Sequence, residues 1–503
     1  MSSSIEILDK PTSLNQKITF LSTKNINTLY KPLIVTSFFL FLFYTLLSNR
    51  RFDQSPQYLA KLRQTLYPTQ PLNNKYQNPT NINHLEIGIA SSINSWKYRK
   101  PYIESWWKPN ITKGYVFLDR EPSNYLPWPS SSPPYRVSEN TIRYEPYNKH
   151  PMKSAIRMVR VIVETFKEAH DQTIRWYVMV DDDTILFIDN LVHILQKYDH
   201  TKYFYIGENS ECVLSNYDNS FEMAFGGAGY AISYPLAEAL TKNLDTCIKR
   251  YPYVYGSDHL LQSCISDLGV PLTHEKGFHQ IDLHNDLSGY LSSHPQTEIL
   301  SLHHLDSVDP LFPNMNRSES LNHLMKAANT DQSRLLQQTI CYDKSNNWSY
   351  SVAWGYTVDL YEQIIQPSVL EKPLETFLAW RKPAKQAFMF NTRWVSKNPC
   401  EMPHVFYLQS VGKYSYGIVA NYTRRFGRDL PPCVAPSPSR ISHNSSSYVP
   451  SYIQKIMVIS PATKYFAEVG NRRECCEVVG QVEENVTTIK YRTCAKNEIM
   501  GVY

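Results

Sequence analysis

The sequence predicts an α/β domain with a Rossmann-like, mostly parallel sheet flanked by helices, followed by a β-rich, cysteine-containing module. Two patterns predict this fold. Short apolar strands alternate with helical segments from about residue 84, and from about residue 335 the texture changes to short β-type runs with prolines and cysteines. At 503 residues the chain is also too long for one ordinary domain. We therefore expect one domain over 84–334 and a second module over 335–503.

An apolar segment precedes both parts. Residues 32–48 read PLIVTSFFLFLFYTLLS, without a charge. A helix of this length spans about 25 Å at about 1.5 Å per residue, which suits a thin early-secretory membrane. A cleaved signal peptide is the alternative, but a long polar stretch precedes the segment and no small-residue cleavage pattern follows it. We expect an uncleaved single-pass anchor, with a cytosolic tail over 1–31 and a stem over 49–83.

The first domain is predicted from apolar runs and helical spacing. Apolar runs predict strands at 85–91, 114–118, 176–180 and 203–206, and apolar residues at helical spacing predict a helix over 152–170. Strands separated by helices imply a parallel sheet that is covered on both faces. Ligands of such sheets bind beyond the carboxyl ends of the strands, so polar motifs at those ends carry extra weight.

Cysteines, sequons and charge indicate the compartment and the partners. Six of the nine cysteines suit disulfides in an oxidising lumen, with buried free thiols as the alternative: Cys341, Cys400, Cys433, Cys475, Cys476 and Cys494. Six Asn-x-Ser/Thr sequons permit a lumenal body without proving it: Asn110, Asn316, Asn347, Asn421, Asn444 and Asn485. Charges on the two sides of the anchor are balanced, so they give no orientation. The net charge of +5 is spread without long basic blocks, which argues against a nucleic-acid partner.

The strongest chemical signal is WYVMVDDDT, at residues 176–184. Five apolar or aromatic residues predict a buried strand, and Asp181, Asp182 and Asp183 stand at its carboxyl end. Three adjacent like charges repel one another. A divalent cation that bridges to a diphosphate would compensate them, because Mg²⁺ and Mn²⁺ prefer oxygen ligands and often share them with substrate phosphates. A solvated turn is the alternative for the tripeptide alone.

Three further features could carry chemistry. In AFGGAGYAIS, residues 224–233, the glycines allow either a close backbone approach to another group or a tight structural turn. Asp258 falls in the first turn of a short helix predicted over 255–269, a position that Asp also favours for the helix dipole alone. Histidines crowd one region and together make a metal ligand plausible, although any single one is more often structural: His259, His274, His279, His284, His294, His303 and His304.

The order of these motifs resembles the Fringe-related inverting glycosyltransferases. The resemblance rests on an apolar strand ending in DDD, then GGAGYAIS, YGSD and SLHHLD, and it extends over about residues 84–500. It is closest to the plant branch of single-pass Golgi-type proteins, through GVPLTHEKGFHQ, DPLFPNM and LLQQTICYDKSNNWS. It implies a GT-A-like fold, a UDP-sugar donor, a Mn²⁺ (or Mg²⁺) ion and a glycan or glycoconjugate acceptor. It also implies a type II Golgi membrane protein whose catalytic domain lies in the lumen.

Carried over residue by residue, the resemblance assigns the metal to Asp183 and His304 and the catalytic base to Asp258. It assigns donor contacts to Asp181, Asp182, Gly226, Gly227 and Arg99, the last only through a gapped alignment. Related plant sequences often have a second carboxylate at the position of His259, so the base assignment rests on Asp258 alone. The spacing from Asp258 to His304 is also longer than in animal Fringe enzymes.

The resulting hypothesis is a membrane-anchored, metal-dependent glycosyltransferase. One difficulty concerns Asp258, because a helix N-terminus lowers the pKa of a carboxylate and so weakens it as a base. Two other classes remain open. One is a metal-dependent phosphoester hydrolase that uses the same carboxylates with water as nucleophile. The other is a catalytically silent, carbohydrate-binding membrane protein.

Overall fold

The computed structural model describes residues 36–45 and 79–501, with gaps at 148, 170, 294, 296, 382–386, 426–432, 434–451, 463–471 and 484. Pro79–Tyr503 forms one compact unit. Within the predicted anchor, residues 36–45 are helical, and the rest of the anchor, the tail and the stem up to residue 78 lie outside the described residues. In the described part of the chain, no helix combines the length and the apolar character needed to cross a membrane.

The first part of the compact unit is built on a mixed sheet. Its strands are β1 (Leu85–Ala90), β2 (Gly114–Leu118), β3 (Tyr135–Val137), β4 (Trp176–Asp181), β5 (Ile185–Leu186), β6 (Tyr205–Gly207), β7 (Tyr230–Ser233), β8 (Leu272–His274), β9 (Leu283–Asn285) and β10 (Ser301–Leu302). Seven of them form one sheet in the order β3-β2-β1-β4-β7-β6-β8. All neighbours are parallel except that β7 runs antiparallel to β4 and β6. The prediction of a mostly parallel sheet is confirmed, but β7, which is the YAIS of the glycine-rich motif, was not predicted as a strand.

Helices cover both faces of this sheet. The helices of the compact unit are α1 (Ile93–Trp106), α2 (Ala155–Glu168), α3 (Ile188–Leu195), α4 (Val213–Asp218), α5 (Tyr234–Arg250), α6 (Gly256–Asp267), α7 (Ser288–Leu291), α8 (Arg317–Thr330) and α9 (Pro367–Leu370), the last of which packs against the second sheet. The alternation along β4 shows why both faces are buried. Trp176, Val178 and Val180 join the core beneath α1 and α3, whereas Tyr177 and Met179 join the core beneath α2, α5 and α6.

The second part of the unit is an antiparallel-rich sheet. Its strands are β11 (Gln338–Asp343), β12 (Trp348–Ala353), β13 (Thr357–Tyr361), β14 (Phe377–Ala379), β15 (His404–Tyr414), β16 (Gly417–Arg424), β17 (Lys455–Ser460), β18 (Cys475–Glu483) and β19 (Val486–Arg492). Eight of them form the order β11-β12-β13-β15-β16-β17-β19-β18. One continuous apolar core joins this sheet to the first, and β14 pairs antiparallel with β9. The two sheets therefore share their interior, and the second part of the chain reaches the strand ends of the first.

Disulfides connect elements in both parts. The pairs are Cys247–Cys264, Cys341–Cys476, Cys400–Cys433 and Cys475–Cys494. All six cysteines of the last third are paired, which confirms disulfides rather than free thiols there. The bond from Cys341 to Cys476 joins β11 to β18, the two ends of the second sheet, so that sheet curls back on itself.

Candidate active site at the carboxyl end of β4

The three aspartates stand at the carboxyl end of β4, where the chain turns sharply. Asp182 and Asp183 are buried. The Thr184 hydroxyl donates to the carbonyl of Gly227 at 2.7 Å, and the Trp106 indole N–H donates to the carbonyl of Thr184 at 2.9 Å. These hydrogen bonds hold the turn against the glycine-rich segment on one side and α1 on the other.

Asp183 is the most deeply buried of the three and is paired with two cationic groups. Its Oδ1 lies 3.0 Å from His303 Nε2, and its Oδ2 lies 3.0 Å from Arg99 Nη2. Burial alone would raise the pKa of Asp183, but the charges of His303 and Arg99 hold that pKa far below its usual range. Burial likewise lowers the pKa of His303, yet Asp183 outweighs this and raises it to about 9. Asp183 is therefore an ionised carboxylate at neutral pH.

Asp182 faces α1. It accepts hydrogen bonds from the hydroxyls of Ser91 at 2.6 Å and Ser95 at 2.5 Å, and from Arg99 Nη1 at 3.1 Å. Burial still leaves the pKa of Asp182 above its ordinary value, because it outweighs the hydrogen bonds from the two serines. Arg99 also pairs with Asp306 at 3.0 Å, so one guanidinium compensates three carboxylates. The predicted donor contacts of Arg99 and Asp182 stay predictions, since both side chains are engaged with each other here.

Asp181, Asp183 and His303 together have the composition of a metal site. Their ligand atoms all lie within 4.8 Å of one another. Asp183 Oδ2 is buried and accepts no hydrogen bond from the described residues, because Arg99 approaches it at a poor angle. Burial raises the pKa of Asp181 to about 7, and neighbouring carboxylates add to the rise. Two carboxylates and an imidazole fit Mn²⁺ or Mg²⁺, and Asp183 Oδ2, which accepts no hydrogen bond from the described residues, would be a ligand for such an ion in place of its ion pair with Arg99.

The histidine that the structure places against Asp183 is His303, whereas the sequence assigned the metal to His304. His304 adopts a left-handed backbone with φ of 54°, and its Nδ1 lies 3.2 Å from Asp282 Oδ1. Its ring stacks on Trp380, with 4.6 Å between centroids and 2° between planes. The assignment of His304 as a ligand stays a prediction, and the geometry favours His303.

The glycine-rich segment explains how these groups come together. A Cβ on Gly227 would lie 2.1 Å from the His303 ring, and a Cβ on Gly226 would lie 2.5 Å from Asp258 Oδ1. Glycine is therefore required at both positions, because any side chain would displace the histidine or the carboxylate. The close approach predicted from the motif is present, but its partners are protein side chains. Donor contacts of Gly226 and Gly227 stay predictions.

Asp258 lies in the first turn of α6 and lines a small cavity together with Asp181. It accepts a hydrogen bond from the hydroxyl of Ser257 at 3.1 Å, and the backbone N–H of Gly226 also stabilises its charge. Burial nevertheless raises the pKa of Asp258, and it outweighs both hydrogen bonds. The environment thus offsets the acidifying influence of the helix N-terminus and makes this carboxylate a better base.

Two residues of the site were not predicted from the sequence. Arg157 on α2 is close enough to Asp119, Asp181 and Asp182 to interact electrostatically, yet its buried Nη1 has no hydrogen-bond partner among the described residues. The sequence marks Arg157 only as a positively charged residue on α2, the helix that follows the edge strand β3. Trp380 comes from the second part of the chain, and no local pattern links it to His304.

Comparisons with known proteins find relatives of part of the chain. A family model described as "Fringe-like" matches residues 89–312. A mouse protein named beta-1,3-glucosyltransferase is 34% identical over 119 residues, which are 24% of this chain and 23% of that protein. Its human counterpart is 31% identical over 150 residues, 30% of this chain and 28% of that protein. The matched region thus spans about a quarter of the length of these relatives.

These matches show that residues 89–312, just under half of the chain, resemble the Fringe-like family. The chain belongs to the family described as "Protein of unknown function, DUF604", whose model matches residues 215–476, just over half of the sequence.

Similar solved structures share only a loose likeness. Core-mannan synthase A from Aspergillus fumigatus, in its Mn/GDP form, gives a TM-score of 0.25 at 7% identity, covering 38% of this chain and 73% of that one. A glycosyltransferase that glycosylates the major capsid of PBCV-1 gives 0.25 at 11%, covering 48% and 97%. A mannosyltransferase from Pyrobaculum calidifontis, with GDP-Man and Mn²⁺, gives 0.22 at 11%, covering 43% and 63%. These scores are too low to define a shared fold.

Proposed function

We propose that this chain is a GT-A-like, metal-dependent transferase that moves a sugar from a UDP-sugar to a hydroxyl of a glycan or glycoconjugate. We further propose that configuration inverts at the anomeric carbon. The observation that carries the proposal is the meeting of Asp181, Asp183 and His303 with Asp258 around the glycine-rich segment. Such a transfer needs a cation-binding site beside a buried general base.

Asp181, Asp183 and His303 would hold the divalent cation, and Mn²⁺ or Mg²⁺ suits their oxygen and nitrogen donors. When bound, that ion supplies positive charge for the departing diphosphate. Arg99 keeps Asp182 and Asp183 in position through ion pairs before any donor arrives.

Asp258 would act on the acceptor. It takes the proton of the attacking hydroxyl, whose oxygen forms a bond to the anomeric carbon while the bond from that carbon to the UDP oxygen breaks. Attack on the face opposite to UDP inverts the configuration. General-base assistance of this kind is typically worth about 10² to 10⁴ in rate, and the raised pKa of Asp258 moves it toward the value that serves best near neutral pH.

Arg157 is a candidate contact for the donor diphosphate. Its guanidinium is buried among acidic groups at the β4 terminus, and its Nη1 lacks a hydrogen-bond partner among the described residues. A buried N–H donor without an acceptor is costly, and phosphate oxygens would satisfy it. Sequence reasoning named Arg99 for this role, whereas Arg99 is already bound to three carboxylates.

The relatives suggest the sugar and the linkage to test first. Both are named for β-1,3 glucosyl transfer, so UDP-glucose is the first donor and a 3-hydroxyl the first acceptor position that we propose. A β linkage made from an α-linked nucleotide sugar is itself an inversion.

We propose a Golgi location with the catalytic part in the lumen and the N-terminal segment as a type II anchor. The four disulfides among the described residues support an oxidising lumen. Fluorescent tagging with Golgi markers, and protease protection of the C-terminus in intact vesicles, would test this part separately.

The deciding experiment measures UDP release by the purified full-length chain with Mn²⁺, across a panel of UDP-sugars, with and without glycan acceptors. We expect release that depends on both metal and acceptor, and that is abolished by Asp183→Ala. Release that is indifferent to the acceptor would instead indicate a phosphoester hydrolase. Calorimetry with UDP and Mn²⁺ tests the third class, a catalytically silent carbohydrate-binding protein, because such a protein should show no metal-dependent nucleotide binding.

A further inference from the structure

A second cavity lies beside the eight-stranded sheet. It encloses about 830 Å³, counting its open mouth, and none of its lining residues belongs to the candidate active site. Thr357 and Asp359 of β13 line it together with Val405 and Tyr407 of β15. These residues are cross-strand partners, Thr357 opposite Tyr407 and Asp359 opposite Val405, so their side chains project from the same face of the sheet. We call this space the sheet cavity.

The opposite wall of the sheet cavity comes from the first part of the chain. Asp286, Ser288 and Gly289 follow β9, and Thr376 precedes β14, which pairs with β9. Asp286 Oδ1 accepts a hydrogen bond from the backbone N–H of Ser288 at 2.8 Å. The Thr376 hydroxyl donates to the carbonyl of Asp286 at 2.7 Å. The wall is thus held in place by local hydrogen bonds, and the cavity is a built feature rather than a gap between loops.

Asp359 is the unusual residue of the sheet cavity. It is only 5% exposed and lines the cavity, and burial raises its pKa to about 7 with no hydrogen bond from the described residues to oppose the rise. The nearby cation, Arg393, donates instead to the hydroxyl of Tyr361 and to the carbonyl of Lys372. A buried carboxylate without a partner destabilises the fold, since desolvation is not repaid by hydrogen bonds. Groups of a ligand in the cavity would supply the missing donors.

The mixed chemistry of the lining narrows the class of ligand. Asp359 and Asp286 accept hydrogen bonds, Arg425 donates them, and Val405 and Tyr407 offer apolar surface. A neutral sugar ring offers hydroxyl groups that donate and accept hydrogen bonds, together with apolar C–H faces, in one small molecule. A cationic ligand would suit the carboxylates but would meet the guanidiniums of Arg424 and Arg425 in the same lining. An anionic ligand would meet the carboxylates.

We propose that the sheet cavity binds one unit of a neutral saccharide through hydrogen bonds from sugar hydroxyls to Asp359 and Asp286. The ring packs with its C–H face on Tyr407 and Val405. This binding is separate from the transfer reaction and does not depend on it, because the cavity shares no residue with the β4 terminus. The second sheet then serves as a saccharide-binding module attached to the catalytic part.

The test is saturation-transfer NMR on the full-length chain, with methyl glycosides of glucose, galactose, mannose and N-acetylglucosamine as probes. We expect at least one probe to bind with a millimolar dissociation constant. Asp359→Asn and Tyr407→Leu, which removes the aromatic face, should each weaken that binding at least tenfold. Glu477→Gln, an exposed carboxylate of the same sheet, should leave it unchanged. Asp359→Asn is nearly isosteric and removes an unpaired charge, so its thermal unfolding midpoint should not fall. Tyr407→Leu provides a second variant if it does.

A further experiment distinguishes saccharide binding in the sheet cavity from binding at the candidate active site. Binding should persist in Asp258→Asn and in the presence of UDP and Mn²⁺, because neither touches the sheet cavity. The proposal is overturned if no probe binds the unmodified protein, if Asp359→Asn binds as well as the unmodified protein, or if binding is lost in Asp258→Asn. Saturation transfer to spermidine that Asp359→Asn abolishes, with none to the glycosides, would identify a cation site and overturn it too. None of these results bears on metal-dependent UDP release, so failure here leaves the proposed transfer reaction standing.

Discussion

His303 Nε2 lies 3.0 Å from Asp183 Oδ1, and both side chains are buried. The two residues are far apart in the chain and meet because β10 pairs antiparallel with β5, with Leu302 opposite Ile185. This short ladder brings the residue after β10 beside the turn after β4. Backbone pairing between these two short strands therefore places His303 beside Asp183 before any ligand arrives.

This relationship predicts different consequences for the two adjacent histidines. His303→Gln should weaken Mn²⁺ binding by at least tenfold, because it removes a nitrogen that lies against Asp183. His304→Gln should have a smaller effect, since His304 faces Asp282 and Trp380. Calorimetric titration of Mn²⁺ into the full-length chain measures both, and His274→Gln, at an exposed strand end, is the control. A larger loss in His304→Gln would favour the assignment made from the sequence.

Asp258→Asn should separate binding from turnover. The amide cannot accept the acceptor proton, so kcat should fall about 10² to 10⁴-fold while the KM for the donor changes little. The reason is that Asp258 faces Asp181 across a small cavity and carries a raised pKa, as a base needs. The control is Asp267→Asn at the other end of the same helix, where the side chain pairs with Arg250. Near-normal turnover in Asp258→Asn would show that another group takes the proton.

Gly227→Ala tests the close approach of the glycine-rich segment. The added Cβ would lie 2.1 Å from the His303 ring, so the ring must move away from Asp183. We expect a loss of about 1 to 3 kcal/mol in stability, typical of overpacking, together with weaker Mn²⁺ binding. Gly412→Ala is the matched control, because its nearest neighbour, the Tyr414 ring, is 3.3 Å away. Equal effects of the two substitutions on metal binding would remove the proposed role of Gly227.

Trp380→Ala tests whether the second part of the chain supports the site. Trp380 stacks between His284 and His304, with centroid distances of 4.5 and 4.6 Å. Without the indole, His304 loses its support, and we expect kcat to fall several-fold while the disulfide-linked sheet stays folded. Trp394→Ala, at a tryptophan that is 81% exposed, is the control and should change neither activity nor stability. Steady-state kinetics and near-ultraviolet circular dichroism measure the two readouts, and unchanged kinetics in Trp380→Ala would limit the stack to a structural role.

How far the sequence could predict the site depends on how local each signal is. An apolar run followed by aspartates predicts the carboxyl end of β4, and helical spacing predicts that Asp258 lies in the first turn of a helix. Both positions could therefore be predicted without the structure. The choice between His303 and His304 could not, because both share one motif. It is decided by the left-handed backbone at His304 and by the pairing of β10 with β5.

The residues that the second part of the chain contributes to the candidate site could not be predicted from the sequence. Trp380 reaches His304 through the pairing of β14 with β9, a long-range contact that no periodicity encodes. Arg99 shows a different limit. The repulsion within the aspartate run correctly predicts a compensating cation, but charge alone does not say whether a metal or a guanidinium supplies it, and Arg99 supplies part of it. β7 was missed because the glycines that precede it indicated a turn, and the short strand begins directly after them.

A final prediction concerns Glu86, a buried carboxyl at the second residue of β1. Burial raises its pKa from 4.5 to about 7, although the charge of Lys113 opposes this rise. The folded state therefore holds the proton more tightly than the unfolded chain does. Its contribution to stability is fully present below about pH 4.5 and is lost as the pH rises through about 7.

Glu86→Gln removes the charge at every pH, so the variant and the unmodified protein should be similarly stable at pH 5. At pH 8 the variant should be more stable by up to about 3 kcal/mol, because only the unmodified protein must bury a carboxylate. Urea unfolding at both pH values measures the difference. Glu238→Gln, an exposed residue of α5 that pairs with Lys242, should show no such dependence. A gain in Glu86→Gln that is the same at pH 5 and pH 8 would mean that packing, and not the ionisation of Glu86, causes it.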